Sequence, residues 1–151
     1  MKKNSYPLLH LILLGLIISA CASTQSAQPT QPQGCQLPTE WKIEFALSGG
    51  LAGLSRSLSI SSDGSIVVQD LRKEEKHEST ISQDESKKIA AMLTQACPFE
   101  SKRTNSRCAD CFVYMLNVSM NGKQYSLDAN DLNIPESSAP LIGYLGSYFQ
   151  K

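Results

Sequence analysis

The first 21 residues of this 151-residue chain bound what the rest of it can become. Met1, Lys2 and Lys3 form a basic start, an apolar stretch runs from Leu8 to Ile18, and Ser19 and Ala20 place small side chains before Cys21. A basic, then apolar, then small-residue order is the pattern of a secretory export signal. The apolar core holds about a dozen residues, short of the roughly 20 that a membrane-spanning helix needs. Export constrains folding in two ways. It removes the signal, leaving about 130 residues for one small domain with a modest core. It also delivers the chain to a compartment where cysteines oxidise.

Small residues immediately before a cysteine resemble the lipobox of bacterial lipoproteins, in which the signal is cut before the cysteine and that thiol carries lipid. On this reading residues 1–20 are the signal, Cys21 is the lipidated residue, with palmitate among its acyl chains, and the mature protein is tethered to a membrane surface in the bacterial cell envelope. By the sorting rule of such lipoproteins, Ala22 rather than Asp implies outer-membrane delivery if the source is Gram-negative. Residues 21–35 are rich in Ser, Thr, Gln, Ala and Pro, lack apolar periodicity, and read as a flexible tether. About 15 residues of flexible chain reach roughly 20–25 Å.

Residues 36–151 carry the pattern of a folded domain. Trp41, Ile43, Phe45 and Leu47 alternate with less apolar residues, as in a half-buried strand. Leu58 and Ile60 alternate with serines, Asp63-Gly64 supplies the positive φ angles of a tight hairpin turn, and Ile66 to Leu71 forms the return strand. Arg72 to Ser79 reads as a solvated loop or frayed strand end. Ser82 opens a helix with Glu85 three residues on, the spacing of a capping box, and Ile89, Met92, Leu93 and Ala96 share one helical face before Pro98. Phe112 to Met120 alternates, Asn121-Gly122 turns the chain, and Tyr125 and Leu127 lie on the return. Leu141, Ile142, Leu145, Tyr148 and Phe149 make the apolar stripe of a closing helix. The expected fold is α+β: an antiparallel sheet of about five strands in the order βββαββα, with two helices packed on it.

The chain has 14 basic and 14 acidic residues, and the signal takes Lys2 and Lys3 with it, so the mature domain carries a formal charge of about −2. No basic patch with interleaved aromatics is present, which argues against nucleic acid as a partner. His77 is the one histidine after the signal and stands in a polar run. A zinc-protease motif needs two histidines and cannot be built, a lone histidine among charges reads as a solvated side chain rather than a triad member, and we expect a non-enzyme with no cofactor and no metal site. Asp128 and Asp131 suit turn and cap duties.

Cys35, Cys97, Cys108 and Cys111 remain once Cys21 is reserved for lipid, and outside the cytoplasm four cysteines point to two disulfides. Three pairings are possible. The favoured ones join Cys97 to Cys108 or Cys111, with Cys35 taking the other. A Cys-Ala-Asp-Cys redox motif would open a helix, whereas a strand pattern follows Cys111. A four-cysteine zinc site would need two close pairs, and Cys35 and Cys97 stand alone.

The segment Ser48-Gly49-Gly50-Leu51-Ala52-Gly53-Leu54 sets leucines on a backbone free to take positive φ and to approach another surface closely. Either it is a wide hairpin loop tucking its leucines under the sheet, or it presents an apolar peg to a partner's pocket. Ile43-Glu44-Phe45 followed by this segment, then strands turning at Asp63-Gly64, a helix at Ser82–Ala96, strands turning at Asn121-Gly122 and a final helix, resembles emfourin over about Lys42 to Phe149. Emfourin is a small protein inhibitor of protealysin and other thermolysin-like metalloproteases. The chain departs from that pattern in carrying Leu51 where such proteins commonly carry Phe, and the signal, tether and cysteines are additions. The resemblance implies a membrane-anchored inhibitor whose partner is a thermolysin-like zinc metalloprotease, bound through residues 48–54. The alternative is a non-catalytic structural or interaction lipoprotein of the cell envelope.

Overall fold

The computed structural model describes residues 35–100 and 108–150; the signal, Cys21, the tether up to residue 34 and the segment 101–107 lie outside the described residues. The fold is α+β, with one antiparallel six-stranded sheet and two helices. Its elements are β1 (Trp41–Gly49), β2 (Leu54–Ser61), β3 (Ser65–Asp70), β4 (Glu75–Thr80), α1 (Gln83–Ala96), β5 (Phe112–Met120), β6 (Lys123–Asn130) and α2 (Ala139–Gly146), which runs into a 3-10 turn at Ser147–Gln150. The strand order is β4-β3-β2-β1-β5-β6, so β1 is central and pairs along its whole length with β2 and β5.

Alternation decides which face is covered. Trp41, Ile43 and Phe45 of β1, Leu58 and Ile60 of β2, and Leu116, Val118 and Met120 of β5 are buried with the helices, while Lys42, Glu44, Asn117 and Ser119 stand exposed on the bare face. A one-residue slip of register would exchange the two sets, so the pattern specifies the pairing strongly. α1 contributes Ile89, Ala90, Leu93 and Ala96 to the same core, and α2 contributes Leu141, Ile142 and Leu145.

The ends of α1 follow local chemistry. The Ser82 hydroxyl accepts from the Glu85 amide at 3.2 Å, satisfying one free helix donor. Glu85 Oε1 also accepts from the Tyr148 hydroxyl at 2.6 Å and the Tyr144 hydroxyl at 3.0 Å, which ties α1 to α2 and the 3-10 turn. Burial and the Glu85 carboxylate both push the Tyr148 phenol well above its ordinary range.

Two expectations are corrected. The polar run after Asp70 is not a loop throughout: Glu75–Thr80 forms a sixth strand, β4, paired in register with β3 from Ser65↔Thr80 to Asp70↔Glu75. Every β4 side chain is exposed, so no apolar period marks it; backbone pairing holds it, and its charges guard the sheet edge against further pairing. At the Ser61–Ser65 turn only Gly64 takes a positive φ (92°). Asp63 instead accepts from the Ser65 amide at 2.9 Å and the Ser61 hydroxyl at 2.9 Å, and these bonds hold its carboxyl below the ordinary range.

The disulfides also pair differently from the favoured scheme: Cys35 joins Cys97, and Cys108 joins Cys111. The Cα separations of 5.8 and 5.4 Å lie in the normal range. Topology explains the change. α1 starts beside the Ser62 carbonyl, which the Ser86 hydroxyl reaches at 3.4 Å, and its far end brings Cys97 and Phe99 to β6, where the Phe99 ring lies 5.6 Å from that of Tyr125. Cys35 Sγ lies 3.6 Å from the same tyrosine's hydroxyl. Cys108 and Cys111 sit at the other end of the sheet, just before β5 begins, too far away to exchange partners with the first pair.

Candidate binding loop

The glycine segment joins β1 to β2 at the end of the sheet where β5 starts and β6 finishes. Ser48 and Gly49 close β1, and Leu54 opens β2 opposite Gly49. Between them the Gly53 amide donates to the Gly50 carbonyl at 2.9 Å, so residues 50–53 form a tight turn with Leu51 and Ala52 at its corners. The two leucines separate: Leu51 is 91% exposed, while Leu54 is half-buried within the ladder.

Glycine is required at the two residues that enter the turn. At Gly49 (φ 97°) a Cβ would fall 2.5 Å from the Cys111 carbonyl oxygen, and at Gly50 (φ 68°) it would fall 2.5 Å from the Phe112 ring. Close approach of backbone to its neighbours is what these glycines permit. The Gly50 amide uses it, donating to the Cys111 carbonyl at 3.2 Å.

The loop is braced from both sides. On one side, the Cys108–Cys111 disulfide closes a four-residue turn whose last carbonyl holds Gly50. Asp131 then fastens the start of β5, accepting from the Phe112 amide at 2.8 Å and the Tyr114 hydroxyl at 2.6 Å. Burial and that carboxylate push the Tyr114 phenol up to about 12. On the other side, Arg72 donates to the Ala52 carbonyl and, at 3.0 Å, to the Gly53 carbonyl. Arg72 is positioned by Asp70, whose Oδ1 accepts from the Arg72 and Lys73 amides at 3.1 and 3.3 Å. Desolvation works against the Asp70 charge, but those amides and the Arg56 guanidinium hold its carboxyl below the ordinary range.

Ser48, Gly49, Gly50, Leu51, Ala52, Gly53 and Leu54 thus form one continuous element, and Cys108 and Cys111 join it as a staple. Cys35 and Cys97 lie at the opposite end. Sequence reasoning gives Asp131 turn and cap duty and Phe112 a strand start, but not their support of this loop, and it gives Arg72 no structural role. Arg72 falls in a charged run with no period, and only the turn-forming Asp70 before it hints at an ordered turn. No cluster of three or more His, Cys, Asp or Glu side chains suited to a metal is found among the described residues. No model of a known protein family matches the chain, and no curated protein matches it.

Proposed function

We propose that this protein is a lipid-anchored inhibitor of thermolysin-like zinc metalloproteases that acts by inserting Leu51 into the protease's main specificity pocket. The observation that carries the reading is an almost fully exposed leucine at the corner of a turn fastened on both flanks. Enzymes of this class cut before bulky apolar side chains, so a leucine is a fitting occupant of that pocket. A pre-ordered loop loses little conformational freedom on binding, which favours affinity. A substrate lies extended across a protease cleft; residues 50–53 are held in a turn, so their peptide bonds do not line up with the attacking water. Bracing by Arg72 and the Cys108–Cys111 staple keeps the turn from unwinding into that extended form. The emfourin resemblance points to the same class of target.

The attachment of the domain fits an inhibitor on a stalk. Cys35 is bonded to Cys97 beside Tyr125, and the Gln36 carbonyl accepts from the Asn121 side chain at 3.4 Å. Both contacts lie toward the end of the sheet opposite the loop, and the nine residues of β1 between the two ends span roughly 27 Å. The loop is therefore carried far from the point where the tether joins.

The test is hydrolysis of a peptide substrate by a thermolysin-like protease in the presence of the purified full chain, repeated with Leu51→Asp. The wild-type chain is expected to inhibit and Leu51→Asp to weaken inhibition at least about 100-fold, since a buried charge in an apolar pocket costs several kcal/mol. Equal potency removes Leu51 from the mechanism. No inhibition by either, with a stable non-protease partner recovered from envelope extract, favours a non-catalytic interaction lipoprotein.

A further inference from the structure

We infer that Leu51 does not act alone: Leu71 and Leu132, on the turns to either side, form with it a three-point ridge that grips both walls of the cleft Leu51 enters. This rests on the protease-inhibitor reading above and extends it to residues outside the glycine loop.

Six large apolar side chains among the described residues are exposed, and their distribution is uneven. Leu51 (91%), Leu71 (55%) and Leu132 (66%) occupy three neighbouring turns at one end of the sheet. Val113 and Met115 stand on the first half of β5, running back from the same end. Only Leu37 lies elsewhere. Singly scattered exposed apolar residues need no account, but five of the six gathered toward one end of the sheet call for one.

Strand order sets the spacing. Leu71 begins the turn between β3 and β4, Leu51 lies between β1 and β2, and Leu132 follows β6. With strands about 4.8 Å apart, Leu71 on the line of β3 and Leu132 on that of β6 stand roughly 7 and 12 Å to either side of Leu51. The ridge is then roughly 19 Å long, a fair part of the width of a standard protein–protein contact.

The three points are mechanically joined. The Leu71 amide donates to the Ser55 carbonyl at 2.8 Å, and Arg72 beside it bonds two carbonyls of the Leu51 turn. On the other side, Asp131 bonds the Phe112 amide, and the Leu132 amide donates to Asn130 Oδ1 at 2.9 Å. The central peg and its flanks therefore present themselves as one stiff piece, with Arg72, Lys73, Asp110 and Asp131 supplying charges around the leucines. An apolar centre with a polar rim is the make-up of a specific protein contact. The occupant is a concave protease cleft with apolar walls flanking its leucine pocket.

The experiment measures the inhibition constant of the purified full chain against a thermolysin-like protease for wild type, Leu51→Asp, Leu71→Ser, Leu132→Ser and, as a control from the opposite end of the sheet, Leu37→Ser. Thermal melting of each variant is recorded, with Leu71→Ala and Leu132→Ala replacing any serine variant that melts early. Expected are losses of about five- to twentyfold for each flanking variant, as for side chains of middling weight in a contact, with Leu37→Ser unchanged. If wild type inhibits, Leu51→Asp does not, and the two flanking variants match wild type, the ridge is overturned while the single-peg reading stands. If wild type fails to inhibit, both fall together.

Discussion

Gly50 shows how one missing carbon shapes the candidate site. Its φ of 68° disfavours any L side chain, and a Cβ there would press into the Phe112 ring at 2.5 Å. Gly53 has a similar φ of 58°, but a Cβ there meets only the Arg72 guanidinium, at 3.5 Å. Both substitutions by alanine incur backbone strain of about 1 kcal/mol, and Gly50→Ala adds the cost of moving Phe112. Urea unfolding should therefore rank Gly50→Ala about 1–2 kcal/mol below Gly53→Ala. Equal losses would mean that Phe112 does not support the turn. The glycine run was conspicuous in the sequence, yet the reason for it was not. Gly49 and Gly50 answer to Cys111 and Phe112, more than 60 positions away in the chain, and no local pattern announces a long-range steric fit.

At the scale of elements, the β3–β4 turn is the least legible part of the fold and a main support of the loop. Glu75–Thr80 buries no side chain, so the two-residue period that revealed β1, β2 and β5 is silent there. The other strands and both helices were readable because burial stamps a period on them: Trp41, Ile43 and Phe45 alternate, and Ile89, Leu93 and Ala96 recur on one face. Asp70 organises the hidden turn through the Arg72 and Lys73 amides and the Arg56 guanidinium at 3.4 Å. Its carboxyl titrates below the ordinary 3.8 in the folded chain, so its stabilising effect is fully present above pH 3.8 and is lost as pH falls through the lower folded value. Stability of wild type relative to Asp70→Asn should hold constant from pH 7 to 5 and narrow only below about pH 4. A difference that is already gone at pH 5 would show that Asp70 does not carry this turn.

At the scale of the described domain, the two disulfides sit at opposite ends of the sheet. The Cys35–Cys97 bond spans 62 positions and closes most of the domain's first half, whereas Cys108–Cys111 spans three. On loop-closure grounds the first contributes about 4 kcal/mol and the second about 2 kcal/mol. Replacing Cys35 and Cys97 by serine should lower the melting temperature sharply with the loop's inhibitory geometry intact in the molecules that remain folded. Replacing Cys108 and Cys111 should cost less stability but weaken inhibition, because the Cys111 carbonyl holds Gly50. The reverse ranking would contradict this division. Cross-pairing is the expectation from sequence because it would close the irregular segment after the helix and clamp the entry of the chain; the path of α1 across the sheet to β6 instead brings Cys97 to Cys35, away from Cys108.

The central claim is that the Leu51 turn occupies the catalytic cleft of a thermolysin-like protease. Its most direct test is competition with a small peptide hydroxamate that binds the protease's zinc and fills its main specificity pocket. The account predicts mutual exclusion: the apparent inhibition constant of the full chain rises in proportion to hydroxamate concentration, and each ligand displaces the other. A ternary complex in which both bind at once, or a chain that does not bind the free protease, would contradict it.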